Sequence, residues 1–241
     1  MIRTALIIAA LALLPGSTTA QCRQALVLGL DVSGSIDARE YRLQLDGLAG
    51  ALLDQQVADA LLIQPAAPVS LAVFEWSGPA YQRMLLDWTA IRDPATLAQV
   101  AARLTNKHRT PAPPGTALGN AMLFGAGLLA NKSNCWKRTL DISGDGKHNF
   151  GPHPRDVQQA LSTFPITVNA LVIGADTATA GGTRQVEIAE LSSYFSAWVI
   201  TGPGAFVETA LGYDDYQAAM IRKLLRELQG MVVSSLHAET P

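Results

Sequence analysis

The segment at residues 24–31 constrains the fold more than any other part of the chain. It reads Gln-Ala-Leu-Val-Leu-Gly-Leu-Asp, a short and almost continuous apolar run that ends in a carboxylate. Such runs are typical of strands in a parallel sheet, because helices then cover the strand on both faces. The sequence therefore predicts a layered α/β domain that contains this strand.

Strand-like and helix-like segments alternate along the rest of the chain. Further strands are predicted at residues 68–76, 81–88, 135–145, 166–173 and 205–208, and helices at 37–53, 93–104, 116–129, 155–164, 187–195 and 214–233. The short link Ser77-Gly78-Pro79 predicts that the second and third strands form a hairpin at a sheet edge. We expect a doubly wound α/β fold, with a mostly parallel central sheet, one antiparallel edge strand and helices on both faces. Only residues 174–183 are predicted to form a flexible insertion.

Residues 1–20 have the composition of an export signal. They contain one cation, Arg3, an apolar run at 5–14 and small residues that end at Ala20. The run is too short for a membrane span, which needs about 20 residues, and Gln21 before Cys22 disfavours a lipoprotein. We expect a signal peptide at 1–20, one domain at 21–233, a tail at 234–241, and a periplasmic or secreted protein with no membrane insertion after signal removal.

The charge balance argues against a nucleic-acid partner. Lys and Arg number 18 against 20 Asp and Glu, which gives a net charge of -2. No basic stripe with interleaved aromatic residues occurs along the chain. We therefore expect no nucleic acid among the partners.

Oxygen-bearing side chains follow two of the predicted strands. Asp31-Val-Ser33-Gly-Ser35 places a carboxylate and two hydroxyls in one turn, and Asp145 ends a later strand. In an open parallel sheet, ligands collect at the carboxyl ends of the strands. Carboxylate and hydroxyl oxygens suit a hard cation such as Mg²⁺. Asp141 competes with Asp145 but would sit deeper in the strand and need a hydrogen-bonding partner, so we assign the site to Asp145 and give Asp141 the role of orienting the site.

With Gly115-Thr116 at the start of a predicted helix, these motifs resemble the metal-ion-dependent adhesion site of von Willebrand factor A domains. The resemblance runs from about residue 24 to about residue 229. It implies a protein-binding module, not an enzyme, in which a protein partner supplies an acidic group to an open coordination position of Mg²⁺, with Mn²⁺ and Ca²⁺ as alternatives. The implied ligands are the hydroxyls of Ser33 and Ser35, Thr116 as a ligand or near-ligand, and the carboxylates of Asp31 and Asp145, often bound through water.

A narrower resemblance is to a bacterial family of exported A-like domains that is known only as a domain of unknown function. The segments at residues 74–78, 141–146 and 202–206 carry it. Two departures stand out: Pro113-Pro114 replaces the usual Gly-rich approach to Thr116, and residues 174–196 diverge. The surface that meets a partner is therefore left open.

An enzyme is the alternative reading of the same residues. Ser33 or Ser143 with His148 could form a hydrolase site, and His148 with His153 could bind zinc. The chain has no Gly-x-Ser-x-Gly elbow, no His-Glu-x-x-His and no Cys-x-x-Cys motif, and Ser33 stands where an Asp-nucleophile phosphatase has a second Asp. A Mg²⁺-dependent hydrolase that uses the same carboxylates remains the alternative function.

Glu75 and Trp76 end the second predicted strand beside the loops of the site. One interpretation is a solvated acid next to a half-buried aromatic ring. The other is that Trp76 forms part of the surface that contacts the partner, as exposed aromatic residues often do.

Cys22 and Cys135 precede two strands that the resemblance places side by side. They lie nearly equal distances before Asp31 and Asp145, so at about 3.3 Å per residue they reach nearly the same height. Neighbouring strands are about 4.8 Å apart, a separation that a disulfide tolerates. We expect a Cys22–Cys135 bond at the end of the sheet opposite the metal.

Overall fold

The computed structural model describes residues 22–174 and 183–229. The predicted signal peptide, most of the predicted insertion at 174–183, the last residues of the predicted final helix and the predicted tail lie outside the described residues. None of the described helices is long and apolar enough to span a membrane.

Strands and helices alternate in the order that the sequence predicts, with one additional helix. The strands are β1 Cys22–Asp31, β2 Val69–Trp76, β3 Gln82–Ile91, β4 Cys135–Gly144, β5 Thr167–Ile173 and β6 Val207–Ala210. The helices are α1 Ala38–Leu53, α2 Gln55–Leu62, α3 Pro94–Thr105, α4 Leu118–Ala130, α5 Pro154–Leu161, α6 Thr183–Trp198 and α7 Tyr216–Gln229. A 3₁₀ turn, Tyr213–Asp215, precedes α7.

The strands form one sheet in the order β3-β2-β1-β4-β5-β6. The β2–β3 pair is antiparallel and places β3 at the edge, whereas β2, β1, β4, β5 and β6 run parallel. This confirms the predicted doubly wound fold and its edge hairpin. Every residue of β1 is buried, as expected for the strand that helices cover on both faces.

Two apolar cores flank the sheet, and β1 contributes alternate residues to each. Leu26, Leu28 and Leu30 face the core that α1, α2, α3 and α7 close. Ala25 and Val27 face the core that α4, α5 and α6 close. The residues that form these two cores are apolar, and a buried polar network between α7 and the sheet is an exception.

The disulfide at the amino end of the sheet confirms the predicted cysteine pairing. Cys22 and Cys135 are direct register partners in the parallel β1–β4 ladder. Their Cα atoms lie 4.7 Å apart and the sulfurs are bonded. The two strands that end at the candidate metal residues are therefore covalently joined at their other ends.

The helices differ from the sequence prediction at several points, and α6 is longer than predicted, since it runs from Thr183 to Trp198 and not from 187 to 195. The helix α2 was missed because Asp54, which accepts hydrogen bonds from the amides of Gln56 and Val57, starts a new helix directly after α1. The helix α7 starts later than predicted because a 3₁₀ turn precedes it. The helix α4 starts at Leu118 and not at Thr116, which leaves Thr116 in the preceding loop.

Candidate metal centre

Asp31 is the last residue of β1 and is fully buried. Its Oδ1 accepts a hydrogen bond of 2.8 Å from the backbone N–H of Ser33. Its Oδ2 is buried and has no hydrogen-bond partner among the described residues. A buried carboxylate oxygen without a partner is costly, so this atom marks a position where a cation would be stabilising.

The two serines of the Asp-x-Ser-x-Ser turn connect β1 to the loop after β4. Ser35 Oγ donates a hydrogen bond of 2.9 Å to Asp145 Oδ1. Ser33 Oγ and Ser35 Oγ lie 3.5 Å apart. Ser33 is buried and Ser35 is exposed. The turn therefore brings two hydroxyls and the carboxylate of Asp145 together at the mouth of the site.

Thr116 approaches the same position from the loop before α4. A methyl group placed on Gly146 would lie 4.0 Å from Thr116 Oγ1, so the hydroxyl faces the loop after Asp145. The backbone carbonyl of Pro114 accepts a hydrogen bond of 3.1 Å from the amide of Gly34. A Cβ at Gly34 would lie only 2.8 Å from Pro114 Cβ, which explains why a glycine stands there. The diproline thus packs against the Asp-x-Ser-x-Ser turn and keeps the Thr116 loop close to it.

The electrostatics of the site favour a bound cation. Burial raises the pKa of Asp31 well above its usual range, and the negative charge of Asp145 raises it further, although the hydrogen bonds from Ser33 oppose the shift. Burial also raises the pKa of Asp145, against the hydrogen bond from Ser35. Both carboxylates are thus destabilised as anions by their surroundings, and a divalent cation between them would remove that cost.

The donor set fits a hard divalent cation. Within residues 22–174 and 183–229, no group of three His, Cys, Asp or Glu side chains is placed to hold a metal. The site consists of two carboxylates and three hydroxyls, a set of oxygen ligands that suits Mg²⁺ or Mn²⁺. The residues that would hold the ion are Asp31, Ser33, Ser35, Thr116 and Asp145.

Asp141 does not orient this site, contrary to the expectation from sequence. Its side chain faces α7, where Oδ2 forms an ion pair of 2.9 Å with Nζ of Lys223. Lys223 is fully buried and also contacts Glu227 at 2.9 Å. Two residues along a strand lie on the same face when their spacing is even, but Asp145 follows the end of β4 and leaves that alternation. The two acids of this segment therefore serve different parts of the molecule.

Both interpretations of Glu75 and Trp76 are wrong. Trp76 is fully buried in the core under α4 and is not available to a partner. Glu75 is also buried and accepts hydrogen bonds from the hydroxyls of Tyr41 at 3.0 Å and Tyr81 at 2.7 Å. Arg83 forms an ion pair of 2.8 Å with it. These partners make Glu75 a structural acid at the β2–β3 hairpin.

His148 lies in the loop after Asp145 but not against a serine. Its ring packs edge-on against His153, with ring centroids 5.4 Å apart. His153 caps α5, since its Nδ1 accepts from the amide of Arg155 at 3.2 Å. Ser143 lies in β4, next to Tyr216 of α7. In the described part of the chain, no hydrogen bond joins His148 to Ser33 or Ser143.

Several solved structures have a similar fold. The pilus adhesin SpaC from Lactobacillus rhamnosus GG in its open conformation matches with a TM-score of 0.61 and 12% identity, over 87% of this chain and 30% of the adhesin chain. Proximal thread matrix protein 1 from the mussel byssus, with a zinc occupied MIDAS motif, matches with a TM-score of 0.56 and 16% identity, over 86% of this chain and 48% of the mussel chain. A von Willebrand factor type A structure from Catenulispora acidiphila matches with a TM-score of 0.56 and 16% identity, over 87% of this chain and 43% of the solved chain.

These similarities establish the fold, which is that of von Willebrand factor A domains. The chain spans less than half the length of each of these three solved chains. No individually curated protein matches the chain. A family profile described as "Protein of unknown function (DUF1194)" matches residues 21–232. The chain therefore belongs to this family, whose member here has a von Willebrand factor A-like fold.

Proposed function

We propose that the protein is an exported binding module that holds one divalent cation at the carboxyl ends of β1 and β4 and uses it to bind an acidic group of a protein partner. The observation that carries this proposal is the buried Oδ2 of Asp31, which has no hydrogen-bond partner among the described residues. It lies in a site whose other functional groups are hydroxyls and a second carboxylate. A cation is the group that would satisfy this atom.

The candidate ligands would contribute in two different ways. Ser33, Ser35 and Thr116 offer neutral oxygen atoms, and Asp31 and Asp145 offer the negative charge. Two carboxylates offset the charge of a divalent ion but do not fill its coordination sphere, so a position would remain open for one further anionic ligand. The ion, when bound, would supply a Lewis-acidic position for that anion. Exposure of Ser35 on the outer side of the site supports access by a partner.

Mg²⁺ is the ion we propose, with Mn²⁺ and Ca²⁺ as alternatives. Hard oxygen ligands and few protein charges favour Mg²⁺, which keeps several of its waters when bound to proteins. The mussel protein of similar fold has zinc at its MIDAS motif. Zinc should therefore be included when ions are compared.

Export is the second part of the proposal. The Cys22–Cys135 bond supports it, because disulfides persist in oxidising compartments such as the periplasm and the cell exterior. The signal-like composition of residues 1–20 agrees with it.

The experiment that tests metal binding is a titration of the mature protein with Mg²⁺ and Mn²⁺, followed by calorimetry and by thermal unfolding. An ion that binds only the folded state raises the melting temperature, by an amount that corresponds to about 2.7 kcal/mol at a concentration 100 times the Kd. Asp31→Ala should abolish this response, and Asp87→Ala, which changes an exposed acid of β3, should retain it. An equal response in the wild type and in Asp31→Ala would refute the site.

A screen for turnover distinguishes the binding module from the hydrolase. We expect no metal-dependent hydrolysis of generic phosphate and ester substrates, because among the described residues no hydrogen bond joins a histidine to the hydroxyl of Ser33 or Ser143. Hydrolysis that requires the metal and is lost in Ser33→Ala or Asp145→Ala would favour the enzyme instead.

A further inference from the structure

Asn149 binds both backbone polar groups of Thr116. Its side-chain Oδ1 accepts a hydrogen bond of 2.7 Å from the N–H of Thr116. Its own backbone N–H donates one of 3.1 Å to the carbonyl oxygen of Thr116. One residue of the loop after β4 thus fixes the peptide groups on either side of the Thr116 Cα.

Thr116 depends on such contacts because no regular element holds it. The helix α4 starts at Leu118, and its N-cap residue, Ala117, has no side-chain capping bond. The flanks of the loop are attached elsewhere: the carbonyl of Pro114 accepts from Gly34 at 3.1 Å, and the amide of Ala117 donates to Ser77 at 2.8 Å. Among the described residues, the hydrogen bonds of the Thr116 backbone are those to Asn149.

The loop that carries Asn149 is closely fitted to the start of α4. A Cβ placed on Gly115 would lie 2.6 Å from Cδ2 of Phe150, so the Phe150 ring rests directly on that glycine. Gly151 has a φ of 82°, a left-handed conformation that favours glycine. These two features hold the turn after Asn149 against the start of α4, and they place the Asn149 side chain next to Thr116.

We propose that Asn149 is a positioning residue that sets the Thr116 hydroxyl at the metal site, so that the loop after β4 supplies Asp145 and fixes Thr116 as one unit. This inference rests on the proposed function, because it concerns the same metal. The carboxamide suits the role, since it accepts a hydrogen bond without adding a third negative charge beside Asp31 and Asp145. Alanine would keep the backbone donor and remove the acceptor.

A double-mutant cycle with Mn²⁺ as the probe tests the proposal. The titration compares the wild type, Asn149→Ala, Thr116→Ala and the double variant, and extends to millimolar Mn²⁺ so that weak binding is measured. Residues that orient metal ligands change affinity by about 10-fold or more when they are mutated, and we expect a loss of about that size in Asn149→Ala. In the Thr116→Ala background the second substitution should have no further effect, because the hydroxyl it positions is absent. Asn131→Ala, an exposed asparagine after the other end of α4, is the matched control.

Backbone hydrogen exchange, measured without metal, provides a second readout. The Thr116 amide should exchange faster in Asn149→Ala than in the wild type or in Asn131→Ala, whereas the β1 amides should be unchanged. The inference is overturned if Asn149→Ala binds Mn²⁺ as tightly as the wild type, or if it loses affinity equally in the presence and absence of the Thr116 hydroxyl. If the wild type itself binds no ion, the proposed function has failed, and that result is distinct from an unchanged Asn149→Ala variant in a protein that does bind.

Discussion

At the scale of single residues, Asp31 shows a conflict between stability and binding. It is fully buried, its Oδ2 has no hydrogen-bond partner among the described residues, and Asp145 is close enough to raise its pKa. Such a group does not stabilise the folded protein, since a buried unpaired charge opposes folding. The arrangement becomes favourable when a cation is bound. In the proposed function, Asp31 contributes to ion binding at a cost in the stability of the metal-free protein.

Asp31→Asn should raise the melting temperature of the protein in a chelator. Asparagine keeps an oxygen that can accept from the Ser33 amide and removes the charge that burial and Asp145 disfavour. For a domain of this size, each kcal/mol corresponds to about 2–4 °C. The same variant should lose its response to Mg²⁺. Thermal unfolding with and without Mg²⁺, with Asp87→Asn as the control, measures both effects, and a lower melting temperature in the chelator would contradict this account of Asp31.

At the scale of elements, β4 contains one acid that packs inside the protein, Asp141, and is followed by a second acid, Asp145, at the candidate metal centre. Asp141 pairs with the buried Lys223 of α7, which also contacts Glu227. Glu227 Oε1 in turn accepts from Asn169 Nδ2 of β5 at 2.7 Å. This buried network attaches α7 to the middle of the sheet. It is independent of the metal residues, because Asp145 reaches the Asp-x-Ser-x-Ser turn at the end of the strand.

Asp141→Asn should flatten the pH dependence of stability. Burial raises the pKa of Asp141 to about 7, and Glu227 adds to the shift while Lys223 opposes it. In the unfolded chain an Asp loses its proton near pH 4, so between about pH 4 and pH 7 the folded state retains a proton that the unfolded state has released. The contribution of Asp141 to the free energy of unfolding therefore decreases as the pH rises through this range.

Urea denaturation in a chelator, at about pH 5 and about pH 8, measures this contribution when the free energies of unfolding of the wild type and Asp141→Asn are compared. The free energy of unfolding should fall more steeply with pH in the wild type than in Asp141→Asn. Parallel profiles would show that Asp141 titrates at the same pH in the folded and unfolded chains.

At the scale of the whole molecule, the sheet has the disulfide at one end and the candidate metal centre at the other. The Cys22–Cys135 bond joins the first residues of β1 and β4. The ten residues of β1, at about 3.3 Å each, place the metal residues about 30 Å away. We therefore expect the disulfide to stabilise the fold without affecting the geometry of the candidate metal centre.

Reduction of the disulfide should lower the melting temperature and leave the affinity for Mg²⁺ nearly unchanged. The bond closes a loop with a sequence separation of 113 residues, for which the chain-entropy treatment gives about 4 to 5 kcal/mol. Thermal unfolding and ion titration of the reduced, alkylated protein test both parts, with mass spectrometry of unreduced material to confirm that the bond was present. A large loss of ion affinity on reduction would show that the two ends are coupled.

Patterns that depend on neighbours in the chain were predictable from the residues alone, and contacts between distant side chains mostly were not. The apolar run before Asp31 and the link at Ser77-Gly78-Pro79 determine local geometry, and the structure confirms the strand and the hairpin. The disulfide joins residues 113 positions apart, and it was predictable because the family resemblance places β1 and β4 side by side. The burial of Glu75 depends on Tyr41, 34 residues earlier. The hydrogen bond between Thr116 and the Asn149 side chain joins residues 33 positions apart. The ion pair of Asp141 is with Lys223 of another element, α7. Periodicity shows the face on which a side chain lies, but it does not identify the residue opposite.

Anomalous diffraction from crystals grown with Mn²⁺ is the most direct test of the metal site, because it locates the ion without assuming its ligands. We expect one strong manganese peak within coordination distance of the hydroxyls of Ser33 and Ser35 and close to Thr116, Asp31 and Asp145, and no such peak in crystals of Asp31→Ala grown in the same way. A manganese peak elsewhere with this position empty, or a peak that persists in Asp31→Ala, would contradict the proposed site.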